Sequence, residues 1–148
     1  MLDALDNLDL AAMRYSQRVK ACVQVRLEAQ APYKEAARAM TRALTRPDRA
    51  PLAARLVWRT ADRIWRALGD TSTDGNFYSK RAILSGVLAS TYACWFSDES
   101  ADHEATWAFL DARIENVMQF EKFKAQLKPL GEHLQTAVGI AARFRYGR

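Results

Sequence analysis

The stretch AILSGVLASTYACWF, Ala82 to Phe96, has no charged residue on any side of a helical projection. A helix without a polar face has to be enclosed by other helices or by lipid. This run of about 15 residues is too short to cross a hydrocarbon core, which takes roughly 20. It therefore predicts the centre of a helical bundle, for which the rest of the chain must supply the walls. Small residues recur along it at Ala82, Ser85, Gly86, Ala89, Ser90 and Ala93. They suit either close helix packing or space for a bound apolar molecule.

The walls are legible as further helices. Leu10, Met13, Val19, Cys22, Val23 and Leu27 follow helical spacing from Asp9 to Gln30. Pro32 suits a first helical turn, and Ala36, Ala37, Met40, Ala43 and Leu44 extend that helix to Thr45. Pro47 and Pro51 bracket a short linker. From Pro51, Leu52, Leu56, Ala61, Ile64, Trp65 and Leu68 read as one apolar stripe with Trp58 at its edge, closed by Gly69. Phe77 to Phe96 is the central helix, and Ala101 to Gln126 the next, with Trp107, Leu110, Ile114, Val117, Met118 and Phe120 on its apolar side. Leu130 to Arg145 is predicted as a last, amphipathic helix within residues 130–148. The expectation is an all-α fold, a single domain over 1–148 built as a bundle of about six helices. The 49% hydrophobic content and only six glycines among 148 residues agree with a helical core.

Charge is unevenly spread. Residues 1–70 hold 13 Lys/Arg against 8 Asp/Glu, whereas residues 71–148 hold 9 of each, so the whole net charge of +5 lies in the first half. Lys34, Arg38 and Arg42 stand four apart, and Arg55, Arg59, Arg63 and Arg66 follow a similar spacing. Such rows repel by a few tenths of a kcal/mol per pair, which Asp62 relieves only in part. They read as a solvated surface or as a face for an anionic partner. Cys22 and Cys94 lie in apolar stretches without CxxC spacing and are expected to be reduced and buried. The opening MLDALDNLDL is acidic where a signal peptide is basic, so a soluble or peripheral protein is expected.

No catalytic arrangement stands out. GDTSTDGNFYSKR, Gly69 to Arg81, lacks the GK[ST] of a phosphate loop and follows a helix rather than a strand. It reads instead as a joint: Gly69 in a left-handed cap, Ser72, Thr73 or Asp74 capping the next helix, and Lys80 and Arg81 pairing with Asp74 or Asp70. Neither His103 nor His133 has a glutamate three positions before it, so a di-iron bundle site is not expected, nor any other metal or cofactor. His103, among Asp98, Glu99, Asp102 and Glu104, reads as part of a solvated acidic linker. The segment ending in Phe144, with Arg143, Arg145 and Arg148, fits a helix in a membrane interface or a docking helix in a dimer.

A longer signature is more specific than any of these. WRTADRIWRALGDTSTDGNFYSKRAILSGVLAST, Trp58 to Thr91, continued by DESADHEATWAFLDARIENVMQFEK, Asp98 to Lys122, closely resembles the C-terminal region of the coenzyme Q (ubiquinone) biosynthesis protein nine family. Residues 9–57 resemble it more loosely. The resemblance implies a fold like the ligand-binding domain of TetR-family regulators, a homodimer, and no catalytic activity. It implies binding of an isoprenoid quinone or other lipid, peripheral contact with the inner membrane from the cytoplasmic side, and help to a demethoxyubiquinone-type hydroxylase. Nucleic acid is not among the partners implied.

On that reading Trp65, Phe77, Leu84, Val87, Leu88, Tyr92, Ile114 and Met118 would line the lipid site. Trp95, Phe96, Asp98, Ser100 and Trp107 would meet the partner, and Ala137, Ile140, Arg143, Phe144 and Arg145 the membrane. The sequence departs from the family in two places. It carries little of an upstream helix-turn-helix-like segment, and it has Gly75 where members usually have an aromatic residue. A TetR-like regulator without its DNA-binding segment and a small enzyme on the same fold are the competing classes. The first would need a basic recognition helix, and the second turnover by the pure protein.

Overall fold

A computed structural model describes residues 13–73, 75–120 and 122, and all regular structure among them is helical. Five α-helices are described: α1 (Tyr15–Glu28), α2 (Lys34–Leu44), α3 (Ala50–Ala67), α4 (Gly75–Ser97) and α5 (residues 104–120). The all-α expectation holds, and the boundaries fall within three residues of those read from the sequence, except that α1 begins at Tyr15 rather than Asp9 and that the end expected at Gln126 lies outside the described residues. The segment 130–145 lies outside the described residues. Residues up to 114 form one compact unit, and those from 115 onward belong to a second.

The prolines set the starts. Pro32 and Pro47 each sit in a three-residue 3₁₀ turn, Ala31–Tyr33 and Pro47–Arg49, that runs directly into α2 or α3. Proline has no N–H to lose there, and its fixed φ is already helical. Gly69 sets the end of α3: its φ is 78°, its N–H donates to the Arg66 carbonyl, and the Asp70 N–H donates to the Trp65 carbonyl. Those two bonds make a complete Schellman closure, which requires a left-handed residue and so favours glycine. The Ser72 hydroxyl donates to Asp70 at 2.7 Å.

The core of the first unit joins four helices. Cys22, Val23 and Leu27 enter from α1; Ala61, Ile64 and Trp65 from α3; Leu84, Val87, Leu88 and Trp95 from α4; and Leu110 from α5. Helix α2 buries no residue. Four sequence expectations are corrected here. Helix α4 is not enclosed all round, since Ala82, Gly86, Ala89 and Ala93 form an exposed row along it. These residues carry the least apolar area, so theirs is the face that costs least to leave uncovered. Leu52 and Leu56 do not share a stripe with Ile64 and Trp65 but are 48% and 41% exposed on the opposite side of α3. Met40, at 65%, is also outside the core. Cys94 is only half-buried, whereas burial pushes the Cys22 thiol up to about 11.

The joint between α3 and α4 is built around Arg81, which is 1% exposed. Its Nε donates to Asp62 at 2.7 Å, and one terminal nitrogen donates to Asp70 at 3.0 Å and to the Phe77 carbonyl at 3.1 Å. The guanidinium stacks 3.5 Å above the Phe77 ring. Lys80 adds a second cation to Asp70 at 2.7 Å, and Arg66 a second to Asp62 at 2.8 Å. Trp65 Nε1 donates to the Lys80 carbonyl at 3.0 Å, so the wall of the core is tied to the same joint. Gly75 opens α4, and a Cβ added there would meet no atom within 4 Å.

The far end of α4 is held by cations of the basic rows. Lys34 Nζ donates to the Asp98 carbonyl at 2.8 Å, and Arg38 donates to the Phe96 carbonyl. Positive charge and hydrogen-bond donors at a helix C-terminus answer both its orphan carbonyls and its dipole. Lys34 and Arg38 are therefore occupied within the protein.

Replacing Arg81 by Met should leave Asp62 and Asp70 short of their shared partner and lower unfolding free energy by about 3 kcal/mol. Urea denaturation of the variant measures this; a loss below about 0.5 kcal/mol would mean that the clamp is idle.

Candidate functional site

Two constellations emerge within the first unit. The first is the apolar interior where α3 faces α4. Trp65, Leu84, Val87 and Leu88 are buried there, Trp65 at 7% and Leu88 at 1% exposure. They sit on one side of α4 because 84, 87, 88 and 91 recur at helical spacing. Thr91 completes the row and is buried, its hydroxyl donating to the Val87 carbonyl at 2.7 Å. Tyr15, 47% exposed, covers Trp65 with ring centroids 5.4 Å apart, and its hydroxyl titrates above the ordinary tyrosine range because of burial and nearby Asp70.

Three other residues assigned to the lipid site stand at the margins of this group. Phe77 is half-buried and engaged with Arg81 and Tyr78. Tyr92 is half-buried, its hydroxyl donating to Gln30 at 2.7 Å, and burial raises its pKa. Ile114 is half-buried on α5. Met118 belongs to the second unit and is 38% exposed.

The second constellation is the corner between α4 and α5. Trp95 is fully enclosed, with Tyr92, Phe96 and His103 at ring-centroid distances of 6.0, 5.3 and 5.9 Å. Lys34 lies 5.3 Å from its centroid. His103 in turn meets Trp107 edge-on at 6.5 Å. The chain turns here through Asp102 and His103, both left-handed with φ of 51° and 58°, a conformation rare outside glycine. The Asp102 carbonyl accepts a hydrogen bond from Trp107 Nε1 at 2.8 Å, which fixes the indole against the turn. Trp95 Nε1 and His103 Nδ1 are buried and unpartnered, so this corner holds two unmet polar groups.

Asp98 organises the corner. Its carboxylate accepts from the N–H and hydroxyl of Ser100 and from the N–H and hydroxyl of Thr106. The Ser100 hydroxyl accepts from the Ala105 N–H at 3.1 Å. Together they satisfy the first orphan amides of α5 and place negative charge at its N-terminus. The hydroxyls of Ser100 and Thr106 hold the Asp98 carboxyl well below the usual carboxylate range.

Five residues assigned to a partner surface thus divide. Trp95 and Asp98 are buried and hold the corner, whereas Phe96 and Trp107 are half-buried and Ser100 is exposed. The sequence reading missed His103 as an aromatic bridge and took its surroundings for a solvated linker. An Asp-x-Ser before a helix start was the available signal. Ala137, Ile140, Arg143, Phe144 and Arg145 lie outside the described residues.

Comparison with known proteins places this geometry. The COQ9 family model matches residues 50–121, from the first residue of α3 through the end of α5. The chain is 35% identical over 130 residues to the ubiquinone biosynthesis protein COQ9, mitochondrial, of Rattus norvegicus.

The chain belongs to the COQ9 family.

It is 32% identical over 130 residues to the Homo sapiens protein of the same name, and 28% over 119 residues to the probable ubiquinone biosynthesis protein coq9 of Dictyostelium discoideum. These matches take in 87%, 87% and 80% of this chain but 42%, 41% and 39% of the rat, human and Dictyostelium proteins. The chain thus spans about two fifths of the length of these relatives. The α3, α4 and α5 residues of both constellations, with the Arg81 clamp, fall within the family match, whereas Tyr15 and Lys34 precede it. Among the described residues no three His, Cys, Asp or Glu side chains gather in a way that would hold a metal ion. Among the described residues no helix is long and apolar enough to cross a membrane.

Three carboxylates titrate low in the folded protein: Asp70 through Lys80, with Ser72 and Arg81; Asp62 through Arg81; and Asp98 through Ser100 and Thr106. Since their folded pKa values lie below the unfolded value near 4, the stability they confer is complete above about pH 4 and is lost as pH falls below it. The urea midpoint should hold between pH 7 and 5 and drop steadily below about pH 4. Asp98→Asn should lower the midpoint at neutral pH and make the acid drop shallower; an acid-insensitive wild type would contradict the assignment.

Proposed function

We propose that this protein is a non-catalytic, lipid-binding accessory factor of ubiquinone biosynthesis, which holds an isoprenoid quinone intermediate and presents it to a ring hydroxylase at the membrane. The observation that carries the proposal is a coincidence of two stretches. Residues 50–121, which match the COQ9 family, are those that build the α3–α4 apolar interior and the α4–α5 corner. The relatives are named ubiquinone biosynthesis proteins.

In this reading the polyprenyl tail lies against Trp65, Leu84, Val87, Leu88 and Tyr92. An isoprenoid chain offers only apolar area, and a wall of leucine, valine and indole rewards its burial at about 25 cal/mol per Å². The uncovered small-residue row of α4 lets the helix be approached closely without displacing bulky side chains. The ring is handed over at the corner formed by Phe96, Ser100 and Trp107, the half-buried and exposed residues of that corner. Residues 137–145 would meet the inner membrane, with the active form a homodimer.

Solvent extraction of the purified full-length protein, followed by mass spectrometry, tests the reading. An isoprenoid quinone or a biosynthetic precursor should be recovered at a substantial fraction of one molecule per chain. An extract containing no apolar lipid would overturn it.

A further inference from the structure

The outer face of α3 is arginine-rich in a way that the fold itself does not use. At about 100° per residue, Leu52, Arg55, Leu56, Arg59, Arg63 and Arg66 fall within an arc of about 100°. All six are exposed, Leu52 by 48% and Leu56 by 41%. No acidic residue stands within the arc. Asp62, at its margin, is already taken by Arg81 and Arg66. Arg55, Arg59 and Arg63 have no acidic partner among the described residues. Rows of like charge three and four apart work against the helix that bears them. Lys34 and Arg38 of the other basic row show the contrast, since both are spent on the C-terminus of α4.

We infer that this face docks on an anionic phospholipid bilayer. Charge complementarity selects an anion, and the exclusive use of arginine selects a surface of phosphates, which guanidinium forks bind bidentately. The two leucines select lipid over a nucleic-acid duplex or an acidic protein helix. Against either of those, Leu52 and Leu56 would face charge with nothing to gain. At a bilayer the arginines sit at the phosphate level and extend their stems, and the leucines reach the acyl boundary. Because the opposite side of α3 is buried by Ala61, Ile64 and Trp65, the helix docks without leaving the core. The inference is separate from the quinone reading and from residues 130–148.

Flotation of the full-length chain with vesicles decides it. Phosphatidylcholine vesicles containing about one third phosphatidylglycerol should bind the protein, pure phosphatidylcholine far less, and binding should weaken between about 50 and 300 mM salt. The triple variant Arg55→Gln, Arg59→Gln, Arg63→Gln should bind anionic vesicles at least about tenfold more weakly, with an unchanged or raised melting temperature. The corresponding triple Arg→Lys variant should bind more weakly than wild type but more strongly than the glutamine variant, because the charge remains while the bidentate forks are lost. Wild-type affinity in the glutamine variant would overturn the inference, as would equal binding to neutral vesicles or insensitivity to salt. Arginine-dependent binding to a DNA duplex without binding to vesicles would also overturn it. Lipid extracted from the glutamine variant should match wild type, so that failure of the docking face and failure of the quinone reading are seen separately.

Discussion

A single buried cation holds this structure in register. Arg81 is enclosed on all sides, and a lone charge so placed would be strongly unfavourable. It is acceptable because Asp62 from α3 and Asp70 from the joint both bond it, with the Phe77 carbonyl and ring filling the remaining directions. That arrangement has only one geometry. It fixes how far α3 runs before the Gly69 turn, where α4 begins, and which face of α4 is turned towards Trp65. A pair of hydrophobic residues could supply similar stability, but would tolerate sliding of one helix along the other.

The rest of the first unit extends that constraint. With the start of α4 pinned by Arg81, Leu84, Val87 and Leu88 meet Ile64 and Trp65 in the core. Its other end is held by Lys34 and Arg38 on its last carbonyls, and the Asp98 carboxylate then starts α5 within a few residues. The helix that looked most featureless in sequence is thus fastened at both ends by charge. Its middle is left to apolar packing on one side and to a bare row of small residues on the other.

Much of this was readable before the fold was known, where the determinants are local. Gly69 announced its left-handed cap, Pro32 and Pro51 the helix starts, and Asp70 its pairing with Lys80 and Arg81 about ten positions on. What was not readable depends on long-range partners. The Asp62–Arg81 bond spans 19 positions, and those from Lys34 and Arg38 to the end of α4 span 64 and 58. No spacing rule distinguishes an arginine spent on a distant carbonyl from one facing solvent. The placement of Leu52 and Leu56 could have been found by angle, since they lie nearly opposite Ala61 and Trp65 on the helical wheel. The stripe was drawn too wide there. Of the candidate site, the burial of Trp65, Leu84, Val87 and Leu88 was legible from helical patterning and the family resemblance, whereas that of Trp95 and Asp98 goes with a left-handed turn at Asp102 and His103 that only coordinates reveal.

The central claim is that the α3–α4 interior is where an isoprenoid chain lies. Photo-crosslinking of the full-length protein with a diazirine-bearing isoprenoid quinone, followed by peptide mapping, measures this most directly. The account predicts label concentrated on peptides carrying Trp65 and residues 84–92, suppressed by excess unlabelled quinone. Label that is spread evenly over the exposed surface, or that excess quinone does not displace, would contradict it.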